Sequence, residues 1–132
     1  MNKIKLLFVI VLSLIVINSG IKAQNEPILY FCSKFDKTES GIGDRFYTGP
    51  LIVVVRCDRE LGASKIIIQL EKYNGTDFEI YKTVKFTIKP TMKYTWFESY
   101  ELRADDPGIY RCFLLDENKN TIASGLVELI KQ

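Results

Sequence analysis

The sequence predicts an all-β protein, a single antiparallel β-sandwich of about seven strands that follows an N-terminal signal peptide. Three observations support this fold class. Residues Tyr81–Lys89 alternate between apolar and polar side chains, which is the period of a strand with one buried face. Turn-forming residues recur at intervals of about ten residues, as in sandwich domains. Beyond residue 23, no stretch combines a helical period with capping residues.

The first 23 residues have the pattern of a signal peptide. Two lysines precede an uncharged run of twelve residues, Leu6–Ile17. A membrane-spanning helix needs about 20 apolar residues, so this run is too short to stay behind as an anchor. We therefore expect cleavage after Ala23, one domain over residues 24–132, and a periplasmic or secreted location without a stable membrane anchor.

Charge and composition exclude several functions. The chain has 18 basic residues, 16 acidic residues and no histidine. Loss of residues 1–23 removes three lysines and no acid, which leaves 15 basic and 16 acidic residues, so nucleic-acid binding is not expected. Without histidine there is no Ser-His-Asp triad, Cys-His dyad or histidine-ligated metal. Asp116–Asn120 begins like a calcium loop, but Thr121 and Val127 replace the required glycine and bidentate acid. We predict no catalytic residue, no cofactor and no metal site.

Seven segments are predicted as strands. Leu51–Val55 is an unbroken apolar run, mostly β-branched, and is expected to be a central strand covered on both faces. Lys65–Lys72 and Tyr81–Lys89 alternate and are joined through Asn74-Gly75, which predicts an antiparallel hairpin. The other predicted strands are Ile28–Phe35, Tyr94–Leu102, Gly108–Asp116 and Thr121–Ile130, the last two separated by a polar turn.

A motif near the end of the chain resembles one found in immunoglobulin domains. The run Asp106-Pro107-Gly108-Ile109-Tyr110-Arg111-Cys112 fits Asp-x-Gly-x-Tyr-x-Cys, the pattern that opens the penultimate strand of that family. The resemblance extends from about Leu51 to the end, and the general pattern also resembles small uncharacterised immunoglobulin-like proteins exported by Gram-negative bacteria. It implies an immunoglobulin-like sandwich whose structural corner consists of Asp106, Gly108 and Tyr110. The family's core tryptophan has no counterpart here, because Trp96 lies near the second cysteine, and the resemblance implies no activity.

The three cysteines allow three different single disulfides, and the residues alone leave all three open. The resemblance implies a bridge between Cys57 and Cys112, which are 55 residues apart. The alternation of side chains along a strand is consistent with this bridge. If Tyr110 points inward, Cys112, two residues later, points inward as well. In the chain-entropy model such a bridge stabilises by about 4 kcal/mol. Cys32 is then left as a buried thiol that packs as a small hydrophobe.

The same alternation turns Ile109, Arg111 and Phe113 outward. Because aromatic residues and arginine dominate interface anchors, we predict that these three residues form a contact patch. Segment Asp36–Thr48 is the least regular part of the chain. It is predicted either to be a binding loop or to cover Phe113.

These observations predict a non-enzymatic protein that binds another exported or envelope protein, or acts as its accessory subunit. One alternative is an inhibitor of an exported hydrolase that uses segment Asp36–Thr48. Another is a carbohydrate-binding module, or a hydrolase, that uses acids and aromatic residues. Met92, Tyr94 and Trp96 share one face of a predicted strand, and we expect that face to fill the core.

Overall fold

The computed structural model describes residues 26–132, which form an all-β fold with 60% strand and no helix. The all-β part of the predicted fold class is confirmed, while the predicted signal peptide lies outside the described residues. Within residues 26–132, no helix is long and apolar enough to cross a bilayer. The strands are β1 (Ile28–Cys32), β2 (Lys34–Asp36), β3 (Thr38–Ser40), β4 (Arg45–Tyr47), β5 (Gly49–Pro50), β6 (Ile52–Arg56), β7 (Lys65–Tyr73), β8 (Phe78–Thr87), β9 (Tyr94–Phe97), β10 (Arg103–Ala104), β11 (Gly108–Asp116) and β12 (Thr121–Ile130).

Two larger sheets contain eight of these strands. A three-stranded antiparallel sheet has the order β1-β6-β9, and a five-stranded sheet has the order β4-β12-β11-β7-β8. The five-stranded sheet is antiparallel except that β4 runs parallel to β12. The pairs β2–β3 and β5–β10 form two further small sheets. The described chain has more strands than the predicted seven because β2, β3, β4, β5 and β10 are only two or three residues long.

One cluster of buried side chains takes residues from both larger sheets. Strand β7 contributes Ile66, Ile68 and Leu70, as its alternation predicts. Strand β6 contributes Val53 and Val55 from the three-stranded sheet. Each such side chain stabilises the fold by about 1.5–3 kcal/mol through its removal from water. For both sheets, the face that joins this cluster is called the inner face, and the opposite face is called the outer face.

Strand β6 is buried on both faces, as its unbroken apolar run predicts. Ile52 and Val54 alternate with the core valines and belong to a second buried cluster, together with Cys32. This second cluster lies on the outer face of the three-stranded sheet. Something other than the main core must therefore cover that face.

The covering element is the hairpin β2–β3, residues 34–40, which we call the strap. Phe35 of the strap packs on the second cluster, and its ring stacks on Trp96 with a centroid separation of 4.2 Å. Lys37 alone connects the two strands, in the left-handed region at φ 63°. The next turn needs Gly41, at φ 67°, because a Cβ there would lie 2.0 Å from the Ser33 hydroxyl oxygen. Segment Asp36–Thr48, expected to be the least regular part of the chain, thus contains the end of β2 and the short strands β3 and β4.

Strand β9 is turned opposite to the predicted orientation. Thr95 and Phe97 are buried, whereas Trp96 is half-exposed on the outer face. The register explains this difference, because Phe97 lies opposite Val53, an inward residue of β6. Directly opposed residues on neighbouring strands point to the same face of a sheet. The predicted strand also ends early, at Phe97 instead of Leu102.

Candidate functional site: the outer face of the five-stranded sheet

The predicted contact patch lies on the outer face of the five-stranded sheet. Tyr110 and Cys112 of β11 are fully buried on the inner face, so the residues between and beside them point outward. Ile109 is exposed, while Arg111 and Phe113 are half-buried. Arg111 and Ile109 each belong to a row of directly opposed residues that crosses neighbouring strands.

The central row crosses four strands. Arg111 on β11 lies opposite Leu126 on β12 and opposite Glu71 on β7. Glu71 in turn lies opposite Ile80 on β8. The row therefore runs Leu126, Arg111, Glu71, Ile80, with a charged pair at its centre and an apolar residue at each end.

The charged pair holds Arg111 in place. Its Nη2 donates a hydrogen bond to Glu71 Oε1 at 2.8 Å. Its guanidinium carbon also lies 4.4 Å from the ring centre of Phe78 and 4.9 Å from that of Phe113. These distances are those of cation–π contacts, which suit the planar guanidinium group. One ion pair and two rings thus restrict the rotamers of a side chain that is otherwise flexible.

Glu71 stays ionised in this position. Burial raises the pKa of its carboxyl group, but hydrogen bonds from Arg111 and Gln69, together with the Arg111 charge, outweigh burial and leave the pKa below its usual value. The bond from Gln69 Nε2 to Glu71 Oε2 is 2.9 Å long. Glu71 is therefore a fixed anion whose charge the guanidinium balances.

Apolar side chains exposed to water surround the pair. Ile80 is 67% exposed and Leu126 is 59% exposed, and Ile109 and Tyr73 are exposed as well. The second row runs from Ile109 on β11 to Glu128 on β12 and Arg45 on β4, the edge strand of the sheet. It adds two charged residues to the outer face. Arg45 Nη2 is 3.1 Å from Glu128 Oε2. Around Arg111 and Ile109, the outer face therefore consists of exposed apolar groups and of two ion pairs.

The predicted corner residues lie at the start of β11. The Tyr110 hydroxyl donates a hydrogen bond of 2.6 Å to the backbone carbonyl of Asp106. Gly108 has φ 151°, and a Cβ there would lie 3.1 Å from Lys72 Cε. The edge of the Tyr81 ring packs against Tyr110, with 5.2 Å between ring centres. These contacts fix the direction in which β11 leaves the corner, and with it the direction of Arg111.

The predicted disulfide between Cys57 and Cys112 is absent from the structure, and no two cysteines in the described chain are within disulfide distance. Cys112 is the central residue of β11 and belongs to the main core. Cys57 is buried but lies just beyond the end of β6, where its N–H donates to the Lys93 carbonyl. Because Cys57 and Cys112 are not within disulfide distance, a bridge between them would need backbone movement. Cys32 is buried in the second cluster, where burial raises the pKa of its thiol.

Four residues of the site were not predicted from the sequence. Glu71, Phe78 and Leu126 contact or adjoin Arg111, and Ile80 adjoins Glu71. Alternation alone indicates that Leu126 points away from the buried Val127. The choice of neighbouring strands and their register place Leu126 and Ile80 in one row, and neither can be read from a single segment. Among residues 26–132, no three acidic or cysteine side chains are grouped so that they could hold a metal ion.

Two segments were named for the alternative functions, and only the first of them reaches the five-stranded sheet. Of segment Asp36–Thr48, predicted as an inhibitory loop or as a cover for Phe113, residues 36–40 belong to the strap, and residues 45–47 form β4 at the edge of the five-stranded sheet. Trp96, which belongs to the aromatic stretch considered for carbohydrate, stacks one ring face on Phe35. No protein-family model matches the chain, and no curated protein matches it either.

Proposed function

We propose that this protein is a non-enzymatic binding module that contacts another protein through the outer face of its five-stranded sheet. One observation carries the proposal, namely the group of exposed Ile80, Leu126, Ile109 and Tyr73 around a fixed Arg111. Single exposed apolar residues are common on protein surfaces, but several on one face of a sheet around an ordered arginine favour an interaction site.

The fixed arginine supports binding by lowering its entropic cost. An arginine that is free in solution loses rotamer entropy when a partner immobilises it. Here Glu71, Phe78 and Phe113 already restrict Arg111 before any partner arrives. Pre-ordered arginine and aromatic residues at the centre of an apolar surface are typical of binding hot spots.

We infer that the fold is an immunoglobulin-like sandwich. The seven strands of four or more residues fall into two sheets that share one core, which supports this assignment. The bond from the Tyr110 hydroxyl to Asp106 is the contact that the family's corner makes. In this proposal the domain dispenses with the family's disulfide between sheets.

The proposed partner is an exported or envelope protein, because residues 1–23 have the pattern of a signal peptide. The charged groups beside Arg111 and Ile109 are paired within the chain, as Arg111 with Glu71 and Arg45 with Glu128. A partner with strong net charge would gain little from such a surface. We therefore propose a partner surface that is mainly apolar and carries neutral hydrogen-bond acceptors.

Affinity capture tests this proposal. The full chain with a C-terminal tag is expressed in its source cells, and retained proteins are quantified by mass spectrometry. Ile80→Ser removes an exposed apolar group from the outer face, and Ile42→Ser removes a similarly exposed isoleucine outside the sheets. We expect Ile80→Ser to lower recovery of a specific partner by about tenfold, as is typical of a hot-spot residue. Ile42→Ser should recover as much partner as the wild type, and equal recovery by both variants would refute the proposed site.

A further inference from the structure

The strap depends on side-chain contacts with the sheet below it. Each of its strands has three residues, and only Lys37 joins them. A two-stranded hairpin of this size is not stable by itself in water. Its position is therefore determined by what Phe35 and Glu39 contact on the three-stranded sheet.

Glu39 is the polar half of that attachment. Its side chain is only 8% exposed, although it lies on a surface hairpin. Its carboxylate accepts hydrogen bonds from the Tyr30 hydroxyl, at 2.7 Å, and from the Tyr94 hydroxyl. Arg56 Nη2 lies 3.5 Å from Glu39 Oε1. Since Tyr30, Arg56 and Tyr94 belong to β1, β6 and β9, one carboxylate joins the strap to all three strands of the sheet.

We propose that the strap is a lid that opens when Glu39 is protonated, while the main core stays folded. Opening would uncover the second cluster, which contains Ile52, Val54 and Cys32. The main core draws on the inner face of β6, which the strap does not touch. The two clusters are therefore separate packing units, and loss of one does not require loss of the other.

The groups that face Glu39 determine which proton controls the lid. The Arg56 guanidinium faces Glu39, and burial, followed by the bond to Glu39, raises the pKa of Tyr30 to about 12. Tyr94 faces Glu39 with its phenol group, and burial raises the pKa of the Cys32 thiol. As the pH falls from neutral into the acid range, Glu39 is the group in this contact that changes charge.

The lowered pKa of Glu39 determines whether acid opens or closes the strap. The hydrogen bond from Tyr30 is the main cause that holds the pKa of Glu39 below its usual value, and Thr38 and Arg56 add to it. A lowered pKa means that the closed strap favours the ionised form. Closure is therefore fully stabilised above the ordinary glutamate pKa of about 4.3, and it weakens as the pH falls through the lowered value.

The single tryptophan of the chain reports on the strap, because Trp96 stacks on Phe35. We expect its emission to shift to the red on acidification below pH of about 4, while the far-ultraviolet circular dichroism stays unchanged. Glu39→Gln should show the shifted emission at neutral pH and lose the transition. Glu98→Gln is the matched control, since it removes a carboxylate two residues from Trp96, and it should keep the transition. A transition that survives in Glu39→Gln, or that coincides with loss of circular dichroism, would overturn the proposal.

Alkylation of the thiols with iodoacetamide at neutral pH gives a second readout. We expect Glu39→Gln to raise the labelling rate of Cys32 by about tenfold, the scale of one hydrogen bond to a charged group. Phe35→Ala, which removes the apolar half of the attachment, should also raise it. Cys112, fully buried in the main core, is the internal control and should not change. Equal increases in the labelling rates of Cys32 and Cys112 would indicate global unfolding and would contradict the proposal. An unchanged labelling rate of Cys32 in both variants would show that the strap is not a lid.

Discussion

Replacement of Arg111 by alanine tests whether the centre of the outer face is held as the contacts indicate. The ion pair with Glu71 is partly exposed, so it contributes about 0.2–1 kcal/mol. Each of the two ring contacts, with Phe78 and Phe113, contributes about 0.5–1 kcal/mol at a half-exposed site. Arg111→Ala should therefore lower the free energy of unfolding by about 1–3 kcal/mol. The Glu71 side chain, which is 13% exposed, would then lack its cation, and this favours the upper part of that range.

Urea denaturation measures this loss, provided that the m-value is unchanged. Arg45→Ala is the matched control, because Arg45 also pairs with a glutamate on this face but no ring contact is found for it among the described residues. We expect Arg45→Ala to lower the free energy of unfolding by no more than about 0.5 kcal/mol. A double-mutant cycle of Arg111→Ala with Phe78→Ala should give a coupling energy of about 0.5–1 kcal/mol. If Arg111→Ala were as mild as Arg45→Ala, with no coupling to Phe78, the reasoning about this cluster would be refuted.

Three further substitutions test the alternation and the local bonds. Leu114→Ala should lower the free energy of unfolding in urea by about 2–5 kcal/mol, because Leu114 is fully buried. Leu126→Ala should lower it by less than about 0.5 kcal/mol, because the Leu126 side chain faces water. Equal losses in the two variants would reverse the assignment of faces. Tyr110→Phe should cost about 1 kcal/mol in the same assay through loss of the bond to Asp106, and an unchanged midpoint would contradict that bond. The lowered pKa of Glu71 adds stability that is present above its ordinary pKa of about 4.3 and is lost as the pH falls through the lowered value, so Glu71→Gln should flatten the acid side of the stability curve.

The sequence was sufficient wherever one segment determines its own burial. Ile66, Ile68 and Leu70 alternate and lie in the core, and the unbroken run at β6 is covered on both faces. The outward direction of Arg111 likewise followed from its neighbours in the same strand. In these segments the period of the side chains decides which face is buried, so a single sequence carries the information.

The features that could not be predicted depend on contacts between distant segments. Trp96 was assigned to the core, but the pairing of β9 with β6 turns Phe97 inward instead. The strap could not be foreseen because Phe35 and Glu39 are held by side chains of β9, β1 and β6. Register decides which outward residues become neighbours, and an isolated strand does not reveal it.

The bridge between Cys57 and Cys112 failed as a prediction for a related reason. The alternation of β11 correctly turned Cys112 inward, and Cys57 is buried as well. Alternation says nothing about position along the strand, and Cys57 lies past the end of β6 whereas Cys112 lies at the middle of β11. Proximity needs both the right face and the right level along the facing strands.

Hydroxyl-radical footprinting of the captured complex tests most directly whether the outer face of the five-stranded sheet is the contact surface. The method measures how fast exposed side chains are oxidised, with and without the bound partner. We predict that oxidation of Ile80 and Leu126 falls in the complex, while oxidation of the equally exposed Ile42 does not change. Protection of Ile42, with Ile80 and Leu126 oxidised as fast as in the unbound protein, would contradict the account.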